Sequence, residues 1–180
     1  MTQLTPPAAP IRRLVVVLGD QLDPDSAALD AFDPARDLIL MCEAVEEARY
    51  VAQHKKRLIL FFTAMRLFAA AERARGRAVR YHALDDPGAP ETLAGALEAA
   101  VAAHAPQEVV LVTPGDWRVL TALRAAAERA GAALSLAADR RFLADKALFD
   151  RLASGRKRFI LEDFYRGMRR ETGWLLTPEG

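Results

Sequence analysis

The chain has 180 residues, 52% hydrophobic and 27% charged, which suits one well-buried water-soluble domain and is short for two. Its 25 Lys/Arg against 24 Asp/Glu give no global signature of nucleic-acid binding. The single cysteine, Cys42, excludes both an internal disulfide and a chain-internal iron–sulfur cluster, which needs about four cysteine ligands.

Residues 1–12, rich in Pro, Ala and Thr, read as a disordered tail without the charged and apolar regions of a signal peptide. Leu14-Val15-Val16-Val17-Leu18 is a continuous apolar run closed by Gly19, the pattern of a strand buried on both faces. Leu38-Ile39-Leu40-Met41-Cys42 repeats it, and the following Glu-rich stretch, to Tyr50, opens a helix. Between His54 and Gly76, Leu58, Phe61, Phe62, Met65 and Phe68 keep helical spacing with no breaker, so a helix is expected although Leu58–Phe62 alone suits a strand. The same apolar run is far short of the roughly 20 residues of a membrane span. A third strand falls at Ala78–Ala83, a helix at Glu91–His104, a fourth strand at Val109–Val112, a helix at Trp117–Ala130 closed by Gly131, and a weaker fifth strand at Ala133–Ala137.

This alternation, with helix expected after each of the first four strands, predicts an α/β fold: a Rossmann-like five-stranded parallel sheet of order 3-2-1-4-5, helices on both faces, right-handed crossovers, spanning residues 13–138. From Asp139 to Glu171 there are ten Lys/Arg against six Asp/Glu with interleaved aromatics. This segment reads as a helical extension of the same domain over 139–173, with helices near Asp145–Ala153 and Ile160–Thr172. It serves either as a lid whose aromatics pack on other protein or as a contact to nucleic-acid phosphates, the lid being preferred. Residues 174–180 read as the start of an interdomain linker. The expected protein is soluble, cytoplasmic and monomeric, without membrane association.

Ligands of such sheets sit beyond the carboxyl ends of the strands near the switch point, which gathers Gly19-Asp20-Gln21, Cys42-Glu43 and Thr113–Trp117 around one crevice. Gly19 permits a turn and close approach of a ligand to the backbone; Asp20 and Gln21 offer polar tips, or Asp20 merely caps the next helix. Glu43, Glu47 and Tyr50 recur at spacings of four and three, so they share a helix face. They form either a polar rim with a stacking phenol or simply an acidic helix start that suits the macrodipole. Cys42 reads first as a small buried hydrophobe. His54, His82 and His104 are scattered, so no histidine metal site is expected, and no glycine-rich dinucleotide, Walker, zincin or serine-hydrolase motif is present.

These pieces also form a pattern. Leu18-Gly19-Asp20-Gln21-Leu22, Cys42-Glu43 with Glu47 and Tyr50, His54-Lys55-Lys56 and Ala64-Met65-Arg66 with Phe68-Ala69 resemble the deoxyribodipyrimidine photolyase-related proteins. Val79-Arg80-Tyr81, Pro114-Gly115-Asp116-Trp117-Arg118, Asp139-Arg140-Arg141-Phe142, Gly155-Arg156-Lys157 and Phe164-Tyr165-Arg166 continue the likeness, which spans about residues 13–176. This is the bacterial branch that holds the iron–sulfur (6-4) photolyases and cryptochromes. The resemblance implies an N-terminal antenna domain that binds 6,7-dimethyl-8-ribityllumazine. It places FAD, a [4Fe–4S] cluster and the contacts to DNA in a C-terminal domain outside this chain, which would not be catalytic by itself. Carried over by position, Gly19, Asp20, Gln21, Cys42, Glu43, Glu47 and Tyr50 match the antenna pocket. Phe61 departs from the smaller aliphatic residue expected there and would narrow or block that pocket. The alternatives are a stand-alone nucleotide- or flavin-binding module without photochemistry, and a structural remnant with an empty pocket.

Overall fold

The computed structural model describes residues 9–177. Residues 1–8 of the expected tail and 178–180 of the expected linker lie outside the described residues. The chain divides into two compact units between Ala138 and Asp139.

The first unit is an α/β fold. Five strands, β1 (Arg13–Val16), β2 (Asp37–Cys42), β3 (Val79–His82), β4 (Glu108–Val112) and β5 (Leu134–Ala137), form an all-parallel sheet of order β3-β2-β1-β4-β5, as the alternation predicted. Successive side chains of a strand point to opposite faces, and the apolar runs divide accordingly. Leu14, Val16, Leu38 and Leu40 pack with helices α3 (Leu93–His104) and α4 (Trp117–Arg129), through Leu97, Val101, Val119 and Leu123. Val15, Val17, Ile39 and Met41 pack on the other face with helix α2 (Lys55–Ala74), through Met65, Phe68 and Ala69. Every residue of β2 is buried, which explains why Leu38–Cys42 is continuously apolar and why Asp37, at its start, is paired with Arg12 and Arg13. The inward stripe of α2, Met65, Phe68, Ala69 and Glu72, keeps 3.6-residue periodicity, and this resolves Leu58–Phe62 as helix rather than strand.

Two details differ from the sequence expectation. Ile11 is fully buried, its N–H bonded to the His104 carbonyl at 3.1 Å, and Arg12 pairs with Asp37, so order begins before the expected tail boundary at residue 12. No α-helix joins β1 to β2. The stretch contains Asp23-Pro24-Asp25 and Asp33-Pro34, which favour turns over helix, and it forms only a 3-10 turn at Ala27–Leu29 capped by Ser26. Asp20 therefore caps no helix. As the sequence predicted, β2 and β3 are joined by two helices, the short α1 (Val45–Tyr50) and α2.

The second unit holds α5 (Lys146–Ala153) and α6 (Leu161–Thr172). Asp145 caps α5 through the Leu148 N–H at 2.7 Å, and Gly173 ends α6 in the left-handed conformation that glycine favours. The helices meet at Gly167, where a Cβ would lie 2.9 Å from Leu152, and Phe149 stacks obliquely with Phe159 and Phe164.

Candidate functional site

A cleft of about 270 Å³ opens at the carboxyl ends of β1, β2 and β4, the switch point of the sheet. Its floor and one wall come from Leu18, Gly19, Cys42 and Ala44; α1 contributes Glu47 and Ala48. Leu58, Phe61, Phe62 and Met65 of α2 form a second wall, and Pro114, Gly115, Asp116 and Val119 a third. The polar side chains reaching this apolar space are those of Asp20, Glu47, Gln53, Arg57 and Asp116. A few polar groups converging on a largely apolar concavity is the general form of a small-molecule site. The groove between the C-terminal ends of α3 and α4, toward the amino ends of the strands, is larger, about 540 Å³, but lined mainly by small side chains and the Glu98–Arg129 pair. It lacks convergent polar groups.

Five of the eight residues singled out from sequence line the cleft: Gly19, Asp20, Cys42, Glu47 and Phe61. Gly19 has no room for any side chain. A Cβ there would lie 2.5 Å from the Phe61 ring and 2.8 Å from the Met65 sulfur, so the space over its backbone is taken by Phe61 rather than left open. Burial pushes the Cys42 thiol up to about 11, with the Glu43 charge adding to the effect. The thiol is therefore protonated at neutral pH and acts as an apolar wall atom.

Gln21, Glu43 and Tyr50 are not in the lining. Gln21 is buried, its amide N–H₂ reaching the carbonyls of Val112 and Thr113 at 3.4 and 3.3 Å, and thus ties the end of β1 to the end of β4. Glu43 lies outside α1, which begins at Val45, so it does not share a face with Glu47 and Tyr50. Its fully buried carboxylate accepts from Arg66 Nε and Nη2 at 2.6 and 2.8 Å, from the Tyr81 hydroxyl at 2.5 Å and from the Leu84 N–H at 2.8 Å. Burial alone would raise its pKa; the bonds from Arg66, Tyr81 and Leu84 outweigh burial and hold it below the usual range. Burial, and then the bond to Glu43, raise the pKa of Tyr81. Glu43 is thus a structural anion that joins β2, α2 and the end of β3.

Glu47 and Tyr50 do share a face, and both meet Arg118 on α4. Arg118 donates two bonds to the Glu47 carboxylate, at 2.9 and 2.7 Å, and its guanidinium sits 4.0 Å from the Tyr50 ring centroid. Among the described residues, no group of three or more His, Cys, Asp or Glu side chains is placed to hold a metal ion, and no helix is long and apolar enough to cross a membrane.

Residues 15–180 match the deoxyribodipyrimidine photo-lyase-related protein family. The chain belongs to that family. It is also 41% identical, over 167 residues, to a protein of Agrobacterium fabrum (strain C58 / ATCC 33970) named (6-4) photolyase. That match covers 93% of this chain and 33% of the relative, so the chain spans about a third of its relative's length. Family membership accords with the motifs that carried the resemblance, of which Gly19-Asp20, Cys42, Glu47 and Pro114-Gly115-Asp116 contribute to the lining of the switch-point cleft. Sequence reasoning assigned no role to Gln53, Arg57 or Arg118. Arg118 stands in the quoted Pro114–Arg118 motif, but its partner Glu47 is 71 residues away and no local pattern links them.

Proposed function

We propose that this chain is the light-harvesting, chromophore-binding part of a photolyase- or cryptochrome-like flavoprotein, and that 6,7-dimethyl-8-ribityllumazine occupies the switch-point cleft. The observation that carries the reading is the cleft itself: Gly19, Asp20, Cys42 and Glu47, carried over from the family's antenna pocket, line one concavity at the carboxyl ends of β1 and β2. The lining suits a flat heterocycle with a polyol tail. Leu18, Phe62, Met65 and the protonated Cys42 supply apolar walls, and Asp20, Gln53, Arg57 and Asp116 supply donors and acceptors. The volume, about 270 Å³, lies just under the roughly 300 Å³ at which ligand pockets begin, with the Phe61 ring filling the space above Gly19.

When bound, the lumazine would absorb violet light and pass the excitation to FAD in a C-terminal domain outside residues 1–180, where DNA repair or light sensing would take place. The residues of this chain would do no chemistry; they would orient the chromophore and exclude water around it. Glu43 is committed to Arg66 and Tyr81, and neither it nor Glu47 serves as an acid or base. A cytoplasmic, monomeric setting accords with this role.

Addition of lumazine to the purified chain tests the proposal. A red-shifted, anisotropic lumazine fluorescence is expected, and Phe61→Ala should tighten binding by widening the cleft. A chain that ignores lumazine in both forms would overturn the assignment. A second reading, a stand-alone nucleotide- or flavin-binding module, is favoured by one feature. Lys55, Lys56 and Arg57 crowd the first turn of α2 with no acidic residue there, and Arg57 faces the cleft, which suits an anionic ligand. Co-purified flavin or nucleotide would establish that alternative.

A further inference from the structure

The Glu47–Arg118 pair occupies a particular place in the topology. In the order β3-β2-β1-β4-β5, β1 lies between β2 and β4. Glu47 belongs to the helix after β2, and Arg118 to the first turn of the helix after β4. A bond between them therefore passes over the carboxyl end of β1, joining two walls of the cleft. Glu47 and Ala48 line one wall and Pro114, Gly115, Asp116 and Val119 the other.

Little else holds the wall formed by α1. The helix has six residues and buries none of them, and so short a helix has no stability of its own. Its ties to the rest of the unit include the two Arg118–Glu47 bonds, the Tyr50 ring against the Arg118 guanidinium, and the Glu46 N–H on the Glu91 carbonyl at 3.1 Å. Arg118 contributes all of these but the last. Its own commitment is one-sided. The guanidinium reaches Asp116 only at 3.4 Å, and its buried Nε has no partner. The pair is also only about a third exposed on each side, so it is neither a loose surface contact nor a fixed core ion pair.

We propose that Glu47, Arg118 and Tyr50 form a latch: breaking the Arg118 contacts frees α1 to swing from the cleft, so the latch sets how fast a ligand enters and leaves. Glu47 then closes the wall as well as lining it, and Arg118 is a positioning residue. The proposal rests on the cleft being the ligand site, but the latch motion can be observed without ligand.

The test compares wild type, Arg118→Met and Arg118→Lys as full chains in two measurements. In amide hydrogen exchange without ligand, residues 45–50 should exchange about tenfold faster in Arg118→Met, the combined size of a partly exposed ion pair and a cation–π contact. Arg118→Lys should fall between, and strand amides of β1, β2 and β4 should stay unchanged. In stopped-flow fluorescence with added 6,7-dimethyl-8-ribityllumazine, association and dissociation should both quicken about tenfold while affinity changes by less than about threefold. Unchanged exchange at 45–50, or an equal acceleration in the strands, would overturn the latch. So would faster dissociation with unchanged association, which would make the pair a direct ligand contact. If wild type binds no lumazine, the cleft assignment fails, and the exchange result alone decides the latch.

Discussion

The end of β2 carries two triads built from the same three residue types and used in opposite ways. Glu43, Arg66 and Tyr81 form one; Glu47, Arg118 and Tyr50 form the other. In the first the carboxylate is fully buried and accepts four bonds, and tyrosine contributes its hydroxyl. In the second the carboxylate is a third exposed and tyrosine contributes the face of its ring. A buried anion becomes very costly when one partner is removed, whereas a partly solvated pair exchanges its partner for water at small cost. Four residues of separation thus divide a permanent tie from one that can open, and that division places the moving part beside the cleft and the rigid part behind it.

The largest expected effect breaks the rigid triad. Glu43→Ala leaves the Tyr81 hydroxyl and the Leu84 N–H without their acceptor and removes the counter-charge of Arg66. A loss of about 2–4 kcal/mol is expected, read as a lower urea midpoint at pH 7. Glu43→Gln gives the pH dependence. The folded pKa of Glu43 is lowered relative to the unfolded chain. Its contribution is therefore present above the unfolded value, near 4.3, and lost as pH falls through the folded one. The stability gap between wild type and Glu43→Gln should be constant from neutral pH down to about 5 and shrink in more acid solution. A gap that widened there would show that Glu43 is protonated in the fold.

Next in size is the contact that narrows the cleft. Gly19→Ala places a Cβ 2.5 Å from the Phe61 ring, and overpacking of this kind costs about 1–3 kcal/mol. In a Phe61→Ala background most of that cost should vanish, giving a coupling of at least about 1 kcal/mol in a double-mutant cycle. Additive effects would mean that Phe61 does not rest on Gly19, and the reading of a narrowed cleft would fall with it.

The fold was legible because its signals are local and repeated. Apolar runs such as Leu38–Cys42 mark strands buried on both faces, and the stripe through Met65 and Phe68 marks α2. The β1–β2 connection was misread as helical because strand-helix alternation was extended across Asp23-Pro24 and Asp33-Pro34, where turn chemistry governs. The site was legible in part. Gly19, Asp20, Cys42, Pro114, Gly115 and Asp116 line the switch-point cleft because topology carries residues that follow these strands there, whereas Gln21 and Glu43, expected beside them, are committed elsewhere. What each side chain does was not legible. The direction of Glu43 depends on α1 starting at Val45 rather than two residues earlier, and helix starts are poorly fixed by pattern. Arg118 and Arg66 found their carboxylates 71 and 23 residues away in sequence, a separation that no periodicity encodes.

The smallest effects separate the two triads most cleanly, through one atom. Tyr81→Phe removes the hydroxyl that donates to buried Glu43 at 2.5 Å and should cost about 1.5 kcal/mol, the low end of the range for a bond to a charged group. Tyr50→Phe removes the same atom from a ring that is mostly exposed and meets Arg118 by its face. Its stability should match wild type within about 0.5 kcal/mol, and residues 45–50 should keep their exchange rates, whereas Tyr50→Leu, which abolishes the ring, should speed them severalfold. The pair of variants also tests the carry-over from the family. If Tyr50→Phe leaves stability and exchange untouched but weakens lumazine binding, the phenol contacts the chromophore directly. If binding is untouched as well, Tyr50 serves the cleft only as the plate against which Arg118 closes.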